Sequence, residues 1–341
     1  MKKKIKCIIL LMILTGVLAG CSINTFNISA GNENEEDEID DENLIVVGIS
    51  QLGSESVWRS AHTVSVQNAF TKEKGYFMIF NNARQKQENQ IKAIRSFISQ
   101  RVDYIIFAPV IEDGWDTVLK EAKDAGIPVI LMDRTISVAD DSLYTTRVGI
   151  DARQEGEKAG KWLEDELIKE HRQYDDINIV VIQGTNGSSS QRGRTIGFDS
   201  ICDTHENWHI LTQVDGDFTT LKGKEAMQQI LRLYENDFDV LVCQNDDMAL
   251  GALEALNEAG IKTGIGEDIM LISFDATHEA LELVQDGVIN VDVECNPEQG
   301  EYISEVIQKL ERGEEVEKVY LVDEKVFTKD NVDEYIDNRT Y

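Results

Sequence analysis

The sequence predicts an α/β protein built as two similar lobes, each a parallel sheet covered by helices on both faces. Three observations carry that reading. Runs rich in Val, Ile and Leu are continuously apolar, as strands buried on both faces are, rather than alternating. These runs are separated by stretches of helical apolar spacing, and the rhythm occurs in two successive sets. The length of 341 residues, 42% of them hydrophobic, suits two domains that each bury a core.

The first set opens with an apolar strand over 44–49, then a helix over 58–74 and a strand over 76–80. A helix follows over 85–100, because Ile91, Ile94, Phe97 and Ile98 fall on one face at helical spacing. Strands at 104–108 and 128–132 bracket a helix containing Val118, Leu119 and Ala122, which stops at Gly126, a residue suited to a left-handed C-cap. The second set follows Asp151, with strands at 177–182, 209–214, 238–243, 269–274 and 289–293. Strands and helices in this order require right-handed crossovers. Ligands of such sheets sit beyond the carboxyl ends of the strands, so polar residues just past those ends are the candidates for function.

Residues 1–20 differ from everything after them. Lys2, Lys3, Lys4 and Lys6 precede an apolar run over 8–18, the pattern of a secretory signal peptide, and the run is too short to span a membrane. Leu18-Ala19-Gly20-Cys21 resembles a bacterial lipobox, which makes Cys21 the lipidated mature N-terminus, held at the membrane by acyl chains. Residues 22–43 carry Glu33, Glu35, Glu36, Asp37, Glu38, Asp40, Asp41 and Glu42 without a basic residue, and read as a self-repelling, disordered tether. The expected location is exported: the outer face of the cytoplasmic membrane, or the periplasm where there is an outer membrane. The net charge of −30 excludes a nucleic-acid partner, which needs clustered Lys and Arg. It also argues against a DNA-binding regulator, as does the signal segment in place of a helix-turn-helix.

The residues just past the strand ends are rich in planar polar groups: Asp133-Arg134, Asn245-Asp246-Asp247, Asp275 and Glu294. Carboxylates, amides and arginine forks can each engage adjacent hydroxyls, and an aromatic ring covers the C–H face of a sugar; Trp58 and Phe218 are the candidates. Each residue also has a plainer role open to it. Asp246 and Asp247 read as caps of the following helix, Asp133-Arg134 as a loop ion pair, and Trp58 as core. Cys202, His205 and His209 have no second cluster and read as a polar loop rather than a zinc site. Cys243, in an apolar run, reads as a small buried hydrophobe. No Ser/His/Asp or Cys/His set is present, so no enzyme and no cofactor is expected.

The stretch from Ser50 to Arg59, the run from Gln85 to Phe97, and then Ala108-Pro109-Val110, Met132-Asp133-Arg134, Gln183-Gly184-Thr185, Gly216-Asp217-Phe218, Asn245-Asp246-Asp247-Met248 and Ser273-Phe274-Asp275 resemble the type I periplasmic sugar-binding proteins of ABC transporters, in their galactofuranose-binding branch. The resemblance implies two Rossmann-like lobes joined by three crossovers, near 149–151, 294–296 and 321–323, closing by hinge bending on a monosaccharide. It divides the chain into a lobe of 44–150 plus 295–322 and a lobe of 151–294 plus 323–341. It implies ligand contacts from Trp58, Arg59, Asp133, Arg134, Arg194, Phe218, Asn245, Asp275 and Glu294, with Trp58 and Arg59 where ribose-binding relatives have two aromatics. Delivery to an ABC permease follows from it, with presentation of the closed form to a membrane sensor kinase or chemoreceptor as the alternative. Two departures stand out: Ala276 after Asp275, where the family often has Gly, and the segment 186–193.

Overall fold

The computed structural model describes residues 43–341. The predicted signal segment, Cys21 and nearly all of the predicted tether lie outside the described residues. Two six-stranded sheets form the body. The first contains β1 (Ile45–Gln51), β2 (Tyr76–Asn82), β3 (Tyr104–Phe107), β4 (Val129–Asp133) and β5 (Thr146–Gly149). Between these strands run α1 (Val57–Ala69), α2 (Gln87–Gln100) and α3 (Asp116–Asp124). The second set is α4 (Ala152–Lys169), β6 (Ile177–Gln183), α5 (Ser189–Cys202), β7 (Trp208–Asp215), α6 (Thr220–Tyr234), β8 (Val240–Cys243), α7 (Asp246–Glu258), β9 (Met270–Asp275), α8 (His278–Asp286) and β10 (Val291–Glu294). After β10 the chain returns through α9 (Gly300–Glu311) to β11 (Val319–Leu321) in the first sheet, then crosses to β12 (Val326–Thr328) in the second.

The strand orders are β11-β5-β4-β3-β1-β2 and β12-β10-β9-β8-β6-β7. All pairings are parallel except β10 with β12. Each sheet has an apolar cluster on both faces: Ile49, Ile106 and Ile307 opposite Phe97, Phe107 and Trp115 in the first, and Leu241, Met248 and Leu281 opposite Phe198, Val242 and Phe274 in the second. This is the two-sided burial that the continuous apolar runs require.

Three differences from the sequence reading have local causes. The helix expected over 58–74 ends at Ala69, and a separate 3-10 turn, Lys72–Lys74, closes on Gly75 at φ +86°. The strands β5, β11 and β12 are only three or four residues long, too short to announce themselves. The fourth strand reaches Asp133, which places the Asp133-Arg134 pair at the strand end itself.

Candidate functional site

A cavity lies between the carboxyl ends of the two sheets, lined from both. Its first-lobe wall begins with Ser56, whose side chain caps α1 by accepting from Arg59 N (3.0 Å). The cap fixes the first turn, which presents Trp58 and Arg59. The Arg59 fork is fully engaged: Nε donates to Glu55 Oε1 (3.0 Å), Nη2 to Asp133 Oδ2 (2.7 Å) and Nη1 to Gln51 Oε1 (3.4 Å). Arg59 is therefore a brace for two carboxylates, a role the sequence reading did not assign it. Burial pushes the Asp133 carboxyl upward, but the Arg59 and Arg134 charges outweigh it and hold it below the usual range. Arg134 Nη1 donates to Val110 O (3.0 Å), while its Nε lies 3.8 Å from Asp133 Oδ2 and makes no hydrogen bond. Burial first, and then Arg59, lower the Arg134 pKa to about 10.

The second-lobe wall centres on Arg194. α4 and α5 touch through glycines: a Cβ on Gly156 would meet Arg194 O at 2.3 Å, so no larger residue allows that approach. The contact brings Glu155 against Arg194, whose Nε donates to Glu155 Oε2 (2.6 Å), Nη2 to Asp275 Oδ1 (3.2 Å) and Nη1 to Gln244 O. Burial pushes the Asp275 carboxyl well up; Arg194 opposes the shift, and Asp246 and Asp247 reinforce it. Phe218, in the left-handed region at φ +57°, lays its ring against the backbone of Gly184, where a Cβ would collide with the ring at 1.9 Å. The guanidinium groups of Arg134 and Arg194 lie 5.4 and 5.9 Å from the centre of that ring.

Eight of the nine predicted contacts line this cavity: Trp58, Arg59, Asp133, Arg134, Arg194, Phe218, Asn245 and Asp275. Glu294 does not. Its Oε1 accepts from Arg339 Nη2 (2.8 Å) and its Oε2 from Lys325 N (2.8 Å), so it braces the C-terminal tail. Successive strand residues point to opposite sides, and the neighbouring Cys295 faces the cavity instead. The capping role expected of Asp246 and Asp247 belongs to Asn245, whose Oδ1 accepts from Met248 N (3.0 Å). Asp246 accepts from Ser273 Oγ, Thr277 N and Thr277 Oγ1, and Asp247 Oδ2 accepts from Val57 N of the first lobe (3.2 Å). Trp58 joins Ile150, Ala152 and Cys295 in a small apolar cluster, and its Nε1 donates to Cys295 O (2.5 Å). Cys202 is buried, while His205 pairs with Glu164 and His209 with Asp176, so these three side chains do not converge.

Sequence reasoning missed Glu55, Ser56, Ser190 and Cys295. For Glu55 the signal was available: it is an acid just ahead of the helix start, four residues before Arg59 and within reach of its guanidinium. Two buried polar atoms in the wall lack a partner, the Glu55 Oε2 acceptor and the Arg134 Nε donor. Each unpaired buried group costs about 1–3 kcal/mol, so this wall favours a ligand that both donates and accepts. The cleft rim is clasped shut: Glu112 N donates to Gly187 O (3.1 Å), Arg192 Nη1 to Glu112 Oε2 (2.6 Å), and Thr135 N to Ser189 Oγ (2.9 Å). The partners from the second lobe all belong to segment 186–193.

Residues 47–315 match the family model described as the periplasmic binding protein domain. The chain is 39% identical over 298 residues to the galactofuranose-binding protein of Escherichia coli strain K12, covering 86% of this chain and 91% of that one. A solved structure of the periplasmic binding protein component of the arabinose ABC transporter from Shewanella sp. ANA-3, bound to α- and β-L-arabinofuranose, is 39% identical with a TM-score of 0.81, covering 86% of this chain and 95% of that one. A protein from Mycobacterium smegmatis in complex with β-D-fucofuranose is 39% identical with a TM-score of 0.82, covering 87% and 95%.

Proposed function

Because the chain belongs to the periplasmic binding protein family, among the sugar-binding proteins of ABC transporters rather than among enzymes, we propose that it captures an aldose in furanose form between its lobes and delivers it to an ABC permease. The observation that carries this reading is the pair of unpartnered buried atoms, Glu55 Oε2 and Arg134 Nε, in a cavity walled by arginine forks and the Phe218 ring. A sugar hydroxyl donates to the first and accepts from the second, and the ring covers a C–H face. The furanose form is supported by the relatives, whose own names or bound ligands are galactofuranose, arabinofuranose and fucofuranose. The hinge in this reading is the three crossovers near 149–151, 294–296 and 321–323, dividing the chain into lobes of 44–150 plus 295–322 and 151–294 plus 323–341. Cys21, lipidated, holds the exported receptor at the membrane surface. Among the described residues, no helix is long and apolar enough to cross a membrane.

The test is calorimetric titration and thermal shift against D-galactose, L-arabinose, D-fucose and D-ribose. A ligand that binds only the folded form adds about 2.7 kcal/mol of stability at a hundredfold excess over its Kd. No response to any of the four overturns the sugar reading. For the anchor, Cys21→Ala is expected to move the chain from the membrane fraction to the soluble or unprocessed one.

A further inference from the structure

Behind the first-lobe wall, and outside the cavity lining, lies His62 on α1, fully buried. Its ring stacks on Trp58, with centroids 5.1 Å apart and planes within 9°. One ring nitrogen, Nδ1, meets Gln51 Nε2 (3.0 Å), and the other, Nε2, meets Gln299 Oε1 (3.2 Å). Both amides hold residues of the site. Gln51 Oε1 accepts from Arg59 Nη1, and Gln299 Oε1 accepts from Asp133 N (2.9 Å). One imidazole thus connects the residues that orient Trp58, Arg59 and Asp133.

The backbone fixes which tautomer this ring adopts. Gln51 Oε1 also accepts from Leu52 N (3.0 Å), so the other end of that amide is its NH2, which donates to His62 Nδ1 and to Thr63 Oγ1 (3.1 Å). Gln299 is oriented likewise: its Oε1 takes Asp133 N–H, and its Nε2 donates to Asn296 O (3.1 Å). His62 Nδ1 must therefore accept and Nε2 must donate, which only the neutral Nε2–H form does. An imidazolium would present a second proton to the Gln51 NH2 group and stand beside Arg59 and Arg134.

We propose that His62, as the neutral Nε2–H tautomer, is the positioning residue of the first-lobe half of the site, locking Gln51 and Gln299 so that Arg59 and Asp133 meet the ligand in one fixed geometry. The effect on ligand rests on the sugar-binding reading; the effect on geometry does not. The test uses His62→Phe, which keeps a ring against Trp58 and removes both hydrogen bonds, while Gln51 and Gln299 each keep other partners. Val66→Ala, a buried core change on the same helix, serves as the control for general destabilisation. With selectively 15N-labelled histidine at neutral pH, His62 is expected to show a bare Nδ1 and a protonated Nε2. His62→Phe is expected to weaken L-arabinose and D-galactose binding at least about tenfold, while Val66→Ala stays within about twofold at a comparable fall in Tm. The opposite tautomer, or His62→Phe within twofold of the parent, overturns the proposal. If the parent chain binds neither sugar, the function reading fails alone. The positioning role is then decided by exchange of the Arg59 Nε proton, which speeds up in His62→Phe but not in Val66→Ala if His62 holds the fork, and is equal in both if it does not.

Discussion

The two walls of the cavity are both built on buried arginines, yet they are finished differently. In the second lobe every nitrogen of Arg194 has an acceptor, and the carboxylates around it, Glu155 and Asp275, lean on that one cation. In the first lobe Arg59 does the bracing, and Glu55 Oε2 and Arg134 Nε, on two residues that line the cavity, are buried without a partner. Glu155 Oε1 is unpartnered as well, but Glu155 does not line the cavity; the unpartnered buried atoms on lining residues belong to the first lobe, which makes the second wall a platform and the first a reader. Mutation should therefore separate fold from binding along the lobe boundary.

The largest effect is expected where the platform loses its cation. Arg194→Met leaves Glu155 and Asp275 buried without a counter-charge, a change that costs about 3–5 kcal/mol. A fall of the second lobe's unfolding transition, resolved by calorimetry or hydrogen exchange, checks this. Unchanged stability would show that the acids take up protons at no cost and that the contrast between the walls is not energetic. Next comes the reader. Arg134→Ala removes a group whose one side-chain hydrogen bond among the described residues is to Val110 O, and Asp133 keeps Arg59, so the fold should hold while sugar affinity falls by roughly 2–3 kcal/mol, about thirtyfold or more. Near-normal affinity in a titration would move recognition to the other wall.

A smaller effect belongs to the rim. Arg192 is 48% exposed, and its pair with Glu112 is worth no more than about 1 kcal/mol. Arg192→Ala should raise the sugar's dissociation rate up to about fivefold in stopped-flow measurements, with the association rate little changed. A change confined to the association rate would mean that the pair steers the ligand rather than clasps the lobes.

How much of this could be read from the sequence follows from which signals are local. Strands buried on both faces announce themselves as apolar runs, and Asp133-Arg134, Phe218 and Asp275 stand out because each directly follows a strand or lies in a short polar turn beyond one. Glu294 was misplaced because a period of two makes one residue of register decide the side, and nothing nearby marks whether Glu294 or Cys295 faces in. Asn245 and its two following acids all suit an N-cap by type; only the backbone shows that Asn245 takes it and frees Asp247 to reach Val57 in the other lobe. His62 was silent for a different reason. Its partners lie 11 and 237 residues away, and a lone histidine on a helix face gives no hint of them.

The smallest and most specific expectation concerns the cross-lobe bond from Val57 N to Asp247. Burial, and then the charges of Asp246 and Glu55, push the Asp247 carboxyl up to about 7, against the opposing pull of the Val57 N–H and of Thr220. In an open cleft the same group regains water and returns toward its ordinary value of 3.8. Between those values closure takes up a proton, so the closed form is favoured at the acid end of the window and loses ground as pH rises toward and through 7. His62 works in the other direction and lower down: burial, and then Arg59, depress it to about 4, so its contribution is lost as pH falls below 6.5. The range from about pH 6.5 to 8 therefore isolates Asp247, and sugar affinity should fall there by roughly two- to fivefold. Asp247→Asn keeps an oxygen for Val57 N–H and cannot ionise, so its affinity should be flat across the same range. A variant profile that still falls in parallel with the parent would assign the titration to the buried Asp246, Asp275 and Asp292 cluster of the second lobe, and the cross-lobe bond would then carry no proton.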